Sequence, residues 1–470
     1  MQKNSWNQTI QNLDAHFRVD QSFDIIKRPM TIGENAAYLY MIDGFVKDDI
    51  MEKIMEFLMK ADVQKLSAMK TAQEFADNFI SYFEISIEKD PEKLVTSVLS
   101  GVIALVCEQF PEAIMIDART YPLRGVQEPE DDKVLRGAHD GFVETLVFNT
   151  ALIRRRIRDS RLTMEIHTIG KKSKTDVVLS YMTGVADAKL VKNLRKTLND
   201  LEVNALTMSQ ESLNEALVQK GWYNPFPKVR YTERPDTASA CLLEGKILII
   251  VDNSPSVIIL PAAIFDFVQE SNDFYFPPLV GTYLRIVRMI VFFLTIFLTP
   301  VWYLLINNPS WIPAGLDFIK IAEPSAVPVL VQLLIFEITI DALKLASLNT
   351  PSALSNSFSI VGALILGDFA IQTGWFNPEV ILYMGLVAIG NFTQPSFELG
   401  YAFKLMRIAL VVLTALLNAY GFALGILLLI VLLATNRTVC GTSYLYPLIP
   451  FHWDAFSRLL VRRRIHKHNS

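Results

Sequence analysis

Hydrophobic and polar positions divide the chain into two unlike parts near residue 288. Residues 289–306 form a run of eighteen positions without one charge, MIVFFLTIFLTPVWYLLI. A bilayer core about 30 Å thick needs roughly 20 helical residues, so this run predicts a membrane-spanning helix. Four further apolar stretches follow, at 326–347, 358–376, 379–394 and 408–434. The second part of the chain is therefore predicted to be a polytopic α-helical membrane bundle.

Ahead of that run, strand-like and helix-like segments alternate at short intervals. β-branched and aromatic residues predict strands, and spaced apolar positions predict helices. In order, these are a strand at 36–44, helices at 45–61 and 71–83, and strands at 101–107 and 112–118. The apolar face of the first helix is expected to carry Ile50, Ile54, Phe57 and Leu58. Residues 1–22 are predicted to be a short polar arm, and residues 1–125 an N-terminal α/β subdomain.

A second α/β pattern begins after the charged, proline-bearing loop 126–134. The predicted elements are a helix at 141–157, strands at 162–168 and 176–182, a helix at 187–202 and a hairpin at 246–261. Asp252–Pro255 indicates the hairpin turn, because Asn, Ser and Pro are turn formers. We therefore expect a second α/β subdomain at 126–284, a transmembrane helical domain at 285–456 and a basic cytoplasmic tail at 457–470.

The two parts also differ in charge. Residues 289–470 contribute ten of the 44 Lys and Arg and eight of the 48 Asp and Glu. The front part is mildly acidic and well mixed, which argues against nucleic acid as a partner. The three cysteines, Cys107, Cys241 and Cys440, have neither a disulfide nor a metal spacing. Because the N-terminus lacks the apolar core of a signal peptide, we expect the front part to stay in the cytoplasm.

Basic residues near the ends of the predicted spans indicate orientation, because Lys and Arg favour the cytoplasmic side. Arg285 and Arg288 place the start of the first span inside. Lys404 and Arg407 place the start of the fifth stretch inside as well. The connection at 307–325 carries a single Lys and is assigned to the outside. Four crossings agree with this charge pattern.

The fifth apolar stretch does not fit a single crossing. One crossing at 408–434 would leave the basic tail on the outer side, against the same rule. Two solutions are open: Gly421 and Gly425 break the stretch into a hairpin, or residues 438–456 fold back into the membrane. We therefore expect four to six spans, with the N-terminal region and the C-terminal tail both cytoplasmic.

Carboxylates inside the apolar stretches are the candidate functional residues. Glu337 and Asp341 are four residues apart and share a helical face. Insertion of a carboxylate into the membrane costs about 2.5–3.5 kcal/mol on insertion scales, so a polar environment is expected around it. Three interpretations are open: pairing inside the bundle, for example of Asp341 with Lys344, lining of an ion path, or a misplaced span. The same interpretations apply to Asp368 and Glu398.

Two strings in the front part are more specific than helix and strand patterns. The first, G-F-x-E-x-L-x-x-N-x-x-L-I-R-R-R, contains Gly141, Phe142, Glu144, Asn149, Arg154, Arg155 and Arg156. The second, T-E-R-P-D, consists of Thr232, Glu233, Arg234, Pro235 and Asp236. With the Asp252–Pro255 turn and the membrane part, they resemble the A-subunit family of GerA-type spore germination proteins over nearly the whole chain.

In the membrane part, Ser347–Pro351, Gly367–Asp368 and Phe397–Gly400 resemble the stage V sporulation branch of that family. Nutrient-receptor A subunits carry a Glu-rich, Arg-bearing segment where this chain has Asp341–Ala346, so the resemblance does not extend to direct nutrient sensing. It implies a multi-pass protein of the spore inner membrane that contacts membrane lipid, forms a homo-oligomer and works with other spore membrane germination proteins. Its relatives are thought to form ion-conducting channels.

The two strings have alternative interpretations. The triple arginine at 154–156 is either a solvated helix end or a site for lipid head groups or for the acidic patch of a partner. Within Thr232–Asp236, a Glu or Asp either pairs with Arg234 and holds the entry to the hairpin, or the charged groups contact a ligand.

No set of residues typical of catalysis or cofactor binding is found in the sequence. The six histidines are scattered, and Gly170–Thr175 lacks the first glycine of a P-loop. We therefore expect no enzyme activity, no cofactor and no metal. Two function classes are open: a subunit of an oligomeric ion channel that promotes ion release during germination, or a non-conducting assembly or scaffold protein for other germination receptor complexes. The carboxylates within the predicted spans favour the ion channel, because a scaffold has little reason to keep them desolvated.

Overall fold

The computed structural model divides into two compact units. It describes residues 3–46, 48–61, 63–67, 69–80, 84–119, 137–218, 223–270, 272–323, 325–349 and 370–462. Unit 1 comprises Met1–Gln219 and Val229–Ala262, and unit 2 comprises Lys220–Lys228 and Ala263–Ser470. Unit 1 is an α/β structure with two sheets, and unit 2 is helical. This confirms the predicted fold class of an α/β region followed by a helical region.

The first sheet of unit 1 is antiparallel, with strand order β1-β2-β4-β5-β3. Its strands are β1 (Ile25–Ile32), β2 (Asn35–Ile42), β3 (Ile85–Glu88), β4 (Ile103–Cys107) and β5 (Ala113–Ile116). The helices around it are α1 (Lys3–Phe17), α2 (Asp48–Met59), α3 (Val63–Ser67), α4 (Ala72–Phe79) and α5 (Pro91–Leu99). α1 and α5 cover one face of the sheet, and α2, α3 and α4 cover the other. Strands β4 and β5 are consequently buried on both faces.

The predicted polar arm at 1–22 is wrong, because most of it is helix α1. Four apolar side chains lie on one face of α1 at spacings of three or four residues, and all are buried in the sheet core. They are Trp6, Ile10, Leu13 and Phe17. The ring of Phe17 stacks on that of Tyr40 in β2, with centroids 4.9 Å apart. The polar residues between these positions mask an amphipathic helix.

The other predicted elements of this sheet are confirmed, as strands β2, β4 and β5 and helices α2 and α4. Phe57 was wrongly assigned to the buried face of α2, since it is 52% exposed whereas Ile54 and Leu58 are buried. Strands β1 and β3 and helix α5 were not predicted. β1 contains Pro29, which suits its position at the edge of the sheet. α5 has the usual start signals, with Asp90 as N-cap and Pro91 at its first position.

The second sheet of unit 1 is also antiparallel, with strand order β6-β7-β9-β10-β8. Its strands are β6 (Leu162–Ile169), β7 (Thr175–Met182), β8 (Arg230–Thr232), β9 (Ile247–Val251) and β10 (Val257–Leu260). The helices are α6 (Leu146–Arg156), α7 (Ala188–Asn199), α8 (Ser209–Leu217) and α9 (Pro235–Leu243). The predicted strands, the β9–β10 hairpin and helix α7 are confirmed. Helix α6 begins five residues later than predicted, because the side chain of Asn149 holds the backbone of Val143 in a loop.

Unit 2 contains seven α-helices within the described residues. They are α10 (Asn272–Tyr275), α11 (Pro278–Asn307), α12 (Val329–Asn349), α13 (Ala370–Gln372), α14 (Pro378–Phe392), α15 (Phe397–Thr435) and α16 (Trp453–Leu460). Of the helices that the structure describes, α11 and α15 are long and apolar enough to cross a membrane, and α14 is a shorter apolar helix. The predicted span at 358–376 lies largely outside the described residues.

Helix α15 is a hairpin of two helical arms. Asn418 interrupts it with φ 54° and ψ −132°. A Cβ atom added to Gly421 would lie 1.8 Å from the carbonyl oxygen of Leu413, and one added to Gly425 would lie 2.6 Å from Leu410 Cδ2. In a straight helix, positions 410 and 425 would be about 22 Å apart. The glycines therefore let the two arms pack closely, which is the hairpin solution that the sequence left open.

Candidate functional site

A cluster of charged side chains lies among the apolar helices of unit 2. α12 contributes Glu337 and Asp341, which are one helical turn apart and face the same side. The first arm of α15 contributes Lys404 and Arg407, which are three residues apart and share a face in the same way. Two acidic and two basic side chains thus meet between α12 and α15, and their formal charges cancel.

Glu337 and Arg407 form the most buried pair of this cluster. Arg407 Nε donates to Glu337 Oε1 at 2.6 Å, and Arg407 Nη2 donates to Glu337 Oε2 at 2.9 Å. Arg407 Nη1 also donates to the backbone oxygen of Thr295 in α11, at 2.6 Å. Relative exposure is 5% for Glu337 and 1% for Arg407. This parallel two-bond geometry is the strong form of an Arg–carboxylate pair, and it joins three helices.

Lys404 connects the buried pair to the second carboxylate. Its Nζ donates to the backbone oxygen of Glu337 at 2.6 Å and lies 3.4 Å from Glu337 Oε2. The same ammonium forms a close ion pair with Asp341 Oδ2. The side chain of Asp341 is 30% exposed, and its Oδ1 atom has no hydrogen-bond partner within the described residues. Among the described residues, Asp341 is therefore the carboxylate of this cluster with one oxygen, itself buried, that no hydrogen bond uses.

The acidic residues lie within apolar helices, as the sequence indicated, and the ion pairs of the cluster join α12 to the neighbouring helix α15. Lys344 was suggested as the partner of Asp341, whereas the ion pair of Asp341 is made by Lys404. The ammonium of Lys344 lies over the ring of Phe392 in α14, 4.7 Å from its centroid. Lys404 and Arg407 had been used only as markers of orientation. Pairing across 67 and 70 positions has no local sequence signal.

Glu398, another candidate carboxylate, is not part of this cluster. Glu398 is exposed in the first turn of α15, where Ser396 Oγ donates to its Oε2 atom at 2.7 Å. A carboxylate at a helix N-terminus is favoured by the helix dipole, which explains its position without an ion path. Asp368 lies outside the described residues.

Two further buried polar groups hold the ends of the helices in unit 2. Gln332 Nε2 donates to Asn377 Oδ1 at 2.8 Å, and the backbone N–H of Asn377 donates to Gln332 Oε1 at 2.9 Å. At the start of α11, Arg285 and Arg288 both donate to the carboxylate of Asp273, at 3.2 Å and 2.9 Å. The arginines that marked the inner side in the sequence are thus paired within the fold with the buried Asp273, and Arg288 also pairs with Glu270.

The family-motif residues of unit 1 meet around the start of α6. The backbone N–H of Phe142 donates to the carbonyl oxygen of Glu233 at 2.8 Å, and that of Asn253 donates to the carbonyl oxygen of Glu144 at 2.8 Å. Asn149 Nδ2 donates to the oxygen of Val143 at 2.6 Å. Gly141 is buried in the same irregular segment before α6. One backbone hydrogen bond thus joins the two sequence strings, and another joins the first string to the Asp252–Pro255 turn.

The triple arginine at the end of α6 is not simply a solvated helix end. Arg154 is fully buried, and its Nε donates to Asp24 Oδ2 at 2.9 Å. Arg156 Nη2 donates to both oxygens of Asp140, at 2.6 Å and 2.5 Å, while remaining partly exposed. Arg155 is also partly exposed. Arg154 and Arg156 are thus engaged within unit 1.

The T-E-R-P-D string forms the start of α9. Arg234 is buried, and its Nη2 donates to Asp236 Oδ2 at 2.6 Å and to the backbone oxygen of Ala138 at 3.1 Å. The backbone N–H of Arg234 donates to Thr232 Oγ1 at 3.2 Å, and Pro235 is the first residue of the helix. The expected pairing of Arg234 with an acidic neighbour is thus present, and it fixes the approach to α9.

A further polar group in unit 1 joins α7 to the second sheet. Arg195 donates two hydrogen bonds to Glu165, at 2.7 Å and 2.6 Å, and Tyr181 Oη donates a third at 2.5 Å. Burial opposes ionisation of Glu165, but these hydrogen bonds outweigh it and lower the pKa of its carboxyl. Burial and the hydrogen bond to Glu165 raise the pKa of Tyr181 to about 12. In the described residues, no group of three or more His, Cys, Asp or Glu is placed to hold a metal ion.

Comparison with known proteins gives a consistent result over most of the chain. The family model described as "Bacillus/Clostridium GerA spore germination protein" matches residues 11–470. Stage V sporulation protein AF of Bacillus subtilis (strain 168) is 38% identical over 94% of this chain and 89% of its own length. Spore germination protein KA of the same organism is 31% identical over 94% of this chain and 82% of its own length.

One solved structure also matches part of the chain. It is the N-terminal domain of the A subunit of the Bacillus megaterium spore germinant receptor GerK3, at 28% sequence identity with a TM-score of 0.42. The match covers 54% of this chain and 94% of that domain.

Proposed function

Because the chain belongs to the Bacillus/Clostridium GerA spore germination protein family, we propose that it is a subunit of an oligomeric complex in the spore inner membrane that promotes ion release during germination. Family membership supports the coarser statement of a role in spore germination. The conducting role is the finer part of the proposal, and it rests on the charged cluster of unit 2.

The observation that carries the proposal is the unequal pairing of the two carboxylates. Both carboxylate oxygens of Glu337 accept hydrogen bonds from Arg407, and its backbone oxygen accepts one from Lys404. Because Arg407 also donates to Thr295, these bonds hold α11, α12 and α15 together. Asp341 is partly exposed, and its Oδ1 atom is without a hydrogen-bond partner among the described residues. A carboxylate oxygen without a hydrogen-bond partner attracts a cation. In an oligomer, the Asp341 side chains of the subunits would form a ring of carboxylates of the kind that lines cation channels. The ammonium of Lys404, which pairs with Asp341 Oδ2, would determine how much negative charge an ion meets at this position.

The outer surfaces of the long helices suit lipid or neighbouring subunits. Large apolar side chains remain exposed along α11, α14 and α15, including Phe293, Leu382, Ile389, Leu416 and Leu427. A soluble protein rarely leaves such faces open to water, whereas a membrane helix does so throughout its length. With α15 as a hairpin, its two arms each have the roughly 17–25 residues that a crossing requires.

Two crossings by α15 return the chain to the side on which this helix begins. We propose accordingly that the N-terminal region and the C-terminal tail both face the cytoplasm.

A non-conducting scaffold is the second candidate, and the saturation of Glu337 favours it. A charge-neutral cluster of paired side chains can hold the helices of a bundle in one arrangement without passing any ion. The two candidates differ in what they require of Asp341. A scaffold needs only the fold of the cluster, whereas an ion path needs the negative charge at this position.

Cation release from germinating spores distinguishes the two candidates. Spores carrying Asp341→Asn, which keeps the shape of the side chain, are compared with spores carrying Glu398→Gln on the exposed end of α15 and with deletion spores. The proposal predicts slowed release with Asp341→Asn at normal membrane levels of the protein, and unchanged release with Glu398→Gln. Unchanged release in both variants, together with slowed release in deletion spores, would favour the scaffold.

A further inference from the structure

The segment 446–462 leaves large apolar side chains at the surface of unit 2. Trp453 is 67% exposed and Phe451 is 59% exposed. These two rings and Phe456 pack against one another, with centroids 5.9–6.2 Å apart, so the exposed rings form one aromatic group. Aromatic groups of this size at a surface mark a contact with another apolar phase or molecule.

Helix α16 within this segment is amphipathic and short. It has eight residues, far fewer than the roughly 17–25 that cross a bilayer. At 100° per residue, Trp453, Phe456 and Leu460 fall on one face, and Asp454 and Arg458 fall on the other. A short helix with one aromatic face and one charged face has the composition of an element that lies in a membrane surface.

Two hydrogen bonds fix this segment beside the first turns of α11. Arg285 Nη1 donates to the backbone oxygen of Arg458 at 2.7 Å, and the backbone N–H of Arg462 donates to Thr282 Oγ1 at 3.1 Å. In the same turns, α11 exposes the apolar side chains of Leu279 and Tyr283. The aromatic group is thus held at the end of a long apolar helix, where a spanning helix leaves the hydrocarbon core.

We propose that residues 446–462 form an interfacial anchor, in which Phe451 and Trp453 insert at the boundary between head groups and acyl chains and Arg458 contacts anionic head groups. The proposal rests on the membrane placement of α11 that the proposed function requires. Trp and Tyr concentrate at this depth because their rings are apolar at one end and polar at the other. The exposed Arg458 on the opposite face of α16 supplies the charge complementary to anionic lipid.

The depth of single side chains in a bilayer tests this anchor. The full chain, with its three cysteines replaced by serine, is reconstituted in nanodiscs of phosphatidylglycerol and phosphatidylcholine, and a nitroxide is placed at position 453, 454 or 293 in turn. Its collisions with oxygen, which partitions into lipid, and with a water-soluble nickel chelate report depth. Position 454 is the matched control on the charged face, and position 293, midway along α11, is the reference for a spanning helix.

We expect the oxygen-to-nickel collision ratio at 453 to be severalfold higher than at 454, with a depth of about 5–10 Å below the head groups. The ratio at position 453 should fall in the Arg458→Glu variant and in nanodiscs that lack phosphatidylglycerol. A water-like ratio at 453 with a lipid-like ratio at 293 would overturn the anchor alone. Shielding of 453 from both reagents would show a protein on this surface and would also overturn it. A water-like ratio at 293 would contradict the proposed membrane placement itself.

Discussion

Glu337 of α12 accepts two parallel hydrogen bonds from the guanidinium of Arg407 in α15, at 2.6 Å and 2.9 Å. The same guanidinium donates to the backbone of Thr295 in α11. One buried pair thus ties together three helices, α11, α12 and α15. The proposed function accordingly gives the two neighbouring carboxylates different roles, in which Glu337 maintains the bundle and Asp341 attracts an ion.

Removing the charge of Glu337 should destabilise the protein. Glu337→Gln leaves the guanidinium of Arg407 buried without its counter-charge, and breaking such a pair costs about 3–5 kcal/mol. We expect a lower thermal unfolding temperature in detergent and a lower amount in the membrane. Glu398→Gln, on an exposed carboxylate, is the control that should change neither. Normal stability of Glu337→Gln combined with slowed ion release would instead place Glu337 in the ion path.

The hairpin of α15 should depend on its glycines. Gly421→Ala would place a Cβ atom 1.8 Å from the oxygen of Leu413, which is backbone and cannot move aside as a side chain does. We expect the two arms to separate, with a loss of at least about 1–3 kcal/mol in stability and a lower membrane level. Gly385→Ala in α14 is the matched control, because a Cβ there meets nothing within 4 Å. Equal behaviour of the two variants would contradict the hairpin.

Unit 1 should fold without the helical region. Residues 1–262 hold both sheets and their hydrophobic cores, so we expect this fragment to be soluble and to unfold cooperatively on heating. Circular dichroism against temperature checks the expectation. Aggregation without any thermal transition would show that the sheets need the helices.

Within that fragment, the buried pair of Arg154 and Asp24 should matter far more than a similar pair at the surface. Asp24→Asn leaves Arg154 buried without a counter-charge, with an expected loss of about 3–5 kcal/mol in the free energy of unfolding. Arg161 Nη2 and Asp159 Oδ2 also lie 2.7 Å apart, but Arg161 is exposed and Asp159 is partly exposed, so Arg161→Gln should cost no more than about 1 kcal/mol. Urea unfolding of the two variants measures the difference, and similar losses would contradict the burial of Arg154.

The stability of unit 1 should depend on pH through Glu165. Its folded pKa is lowered from 4.5, so its charged form is favoured in the fold and its contribution is fully present above pH 4.5. That contribution is lost as the pH falls from 4.5 through the lowered pKa. The difference in unfolding free energy between the native fragment and Glu165→Gln should therefore shrink over this acidic range. A constant difference would show that the charge of Glu165 contributes nothing.

Local signals in the sequence were sufficient for seven of the ten strands among the described residues and for the hairpin turn between β9 and β10, whereas β1, β3 and β8 were missed. They also indicated the break in α15, because paired glycines within an apolar run permit close packing. Helix α1 was missed because Trp6, Ile10, Leu13 and Phe17 are separated by polar residues that dominate the composition. Its apolar spacing was nevertheless present in the sequence.

The partners of the buried charges could not be predicted from local signals. Arg154 and Asp24 are 130 positions apart, and Arg407 and Glu337 are 70 apart. The residues next to Arg407 in the sequence do not show whether its side chain marks the cytoplasmic side or pairs inside the bundle. Such pairs follow from the packing of helices, which the order of residues along one helix does not reveal.

The most direct test of the account is the conductance of the purified full chain in planar lipid bilayers. We expect a cation current above that of empty bilayers, and a smaller current from Asp341→Asn at equal incorporation, because the charge of Asp341 attracts the ion. The control Glu398→Gln should conduct as the native chain does. Absence of current from correctly folded, oligomeric protein, or equal currents from the native chain and Asp341→Asn, would contradict an ion path past Asp341.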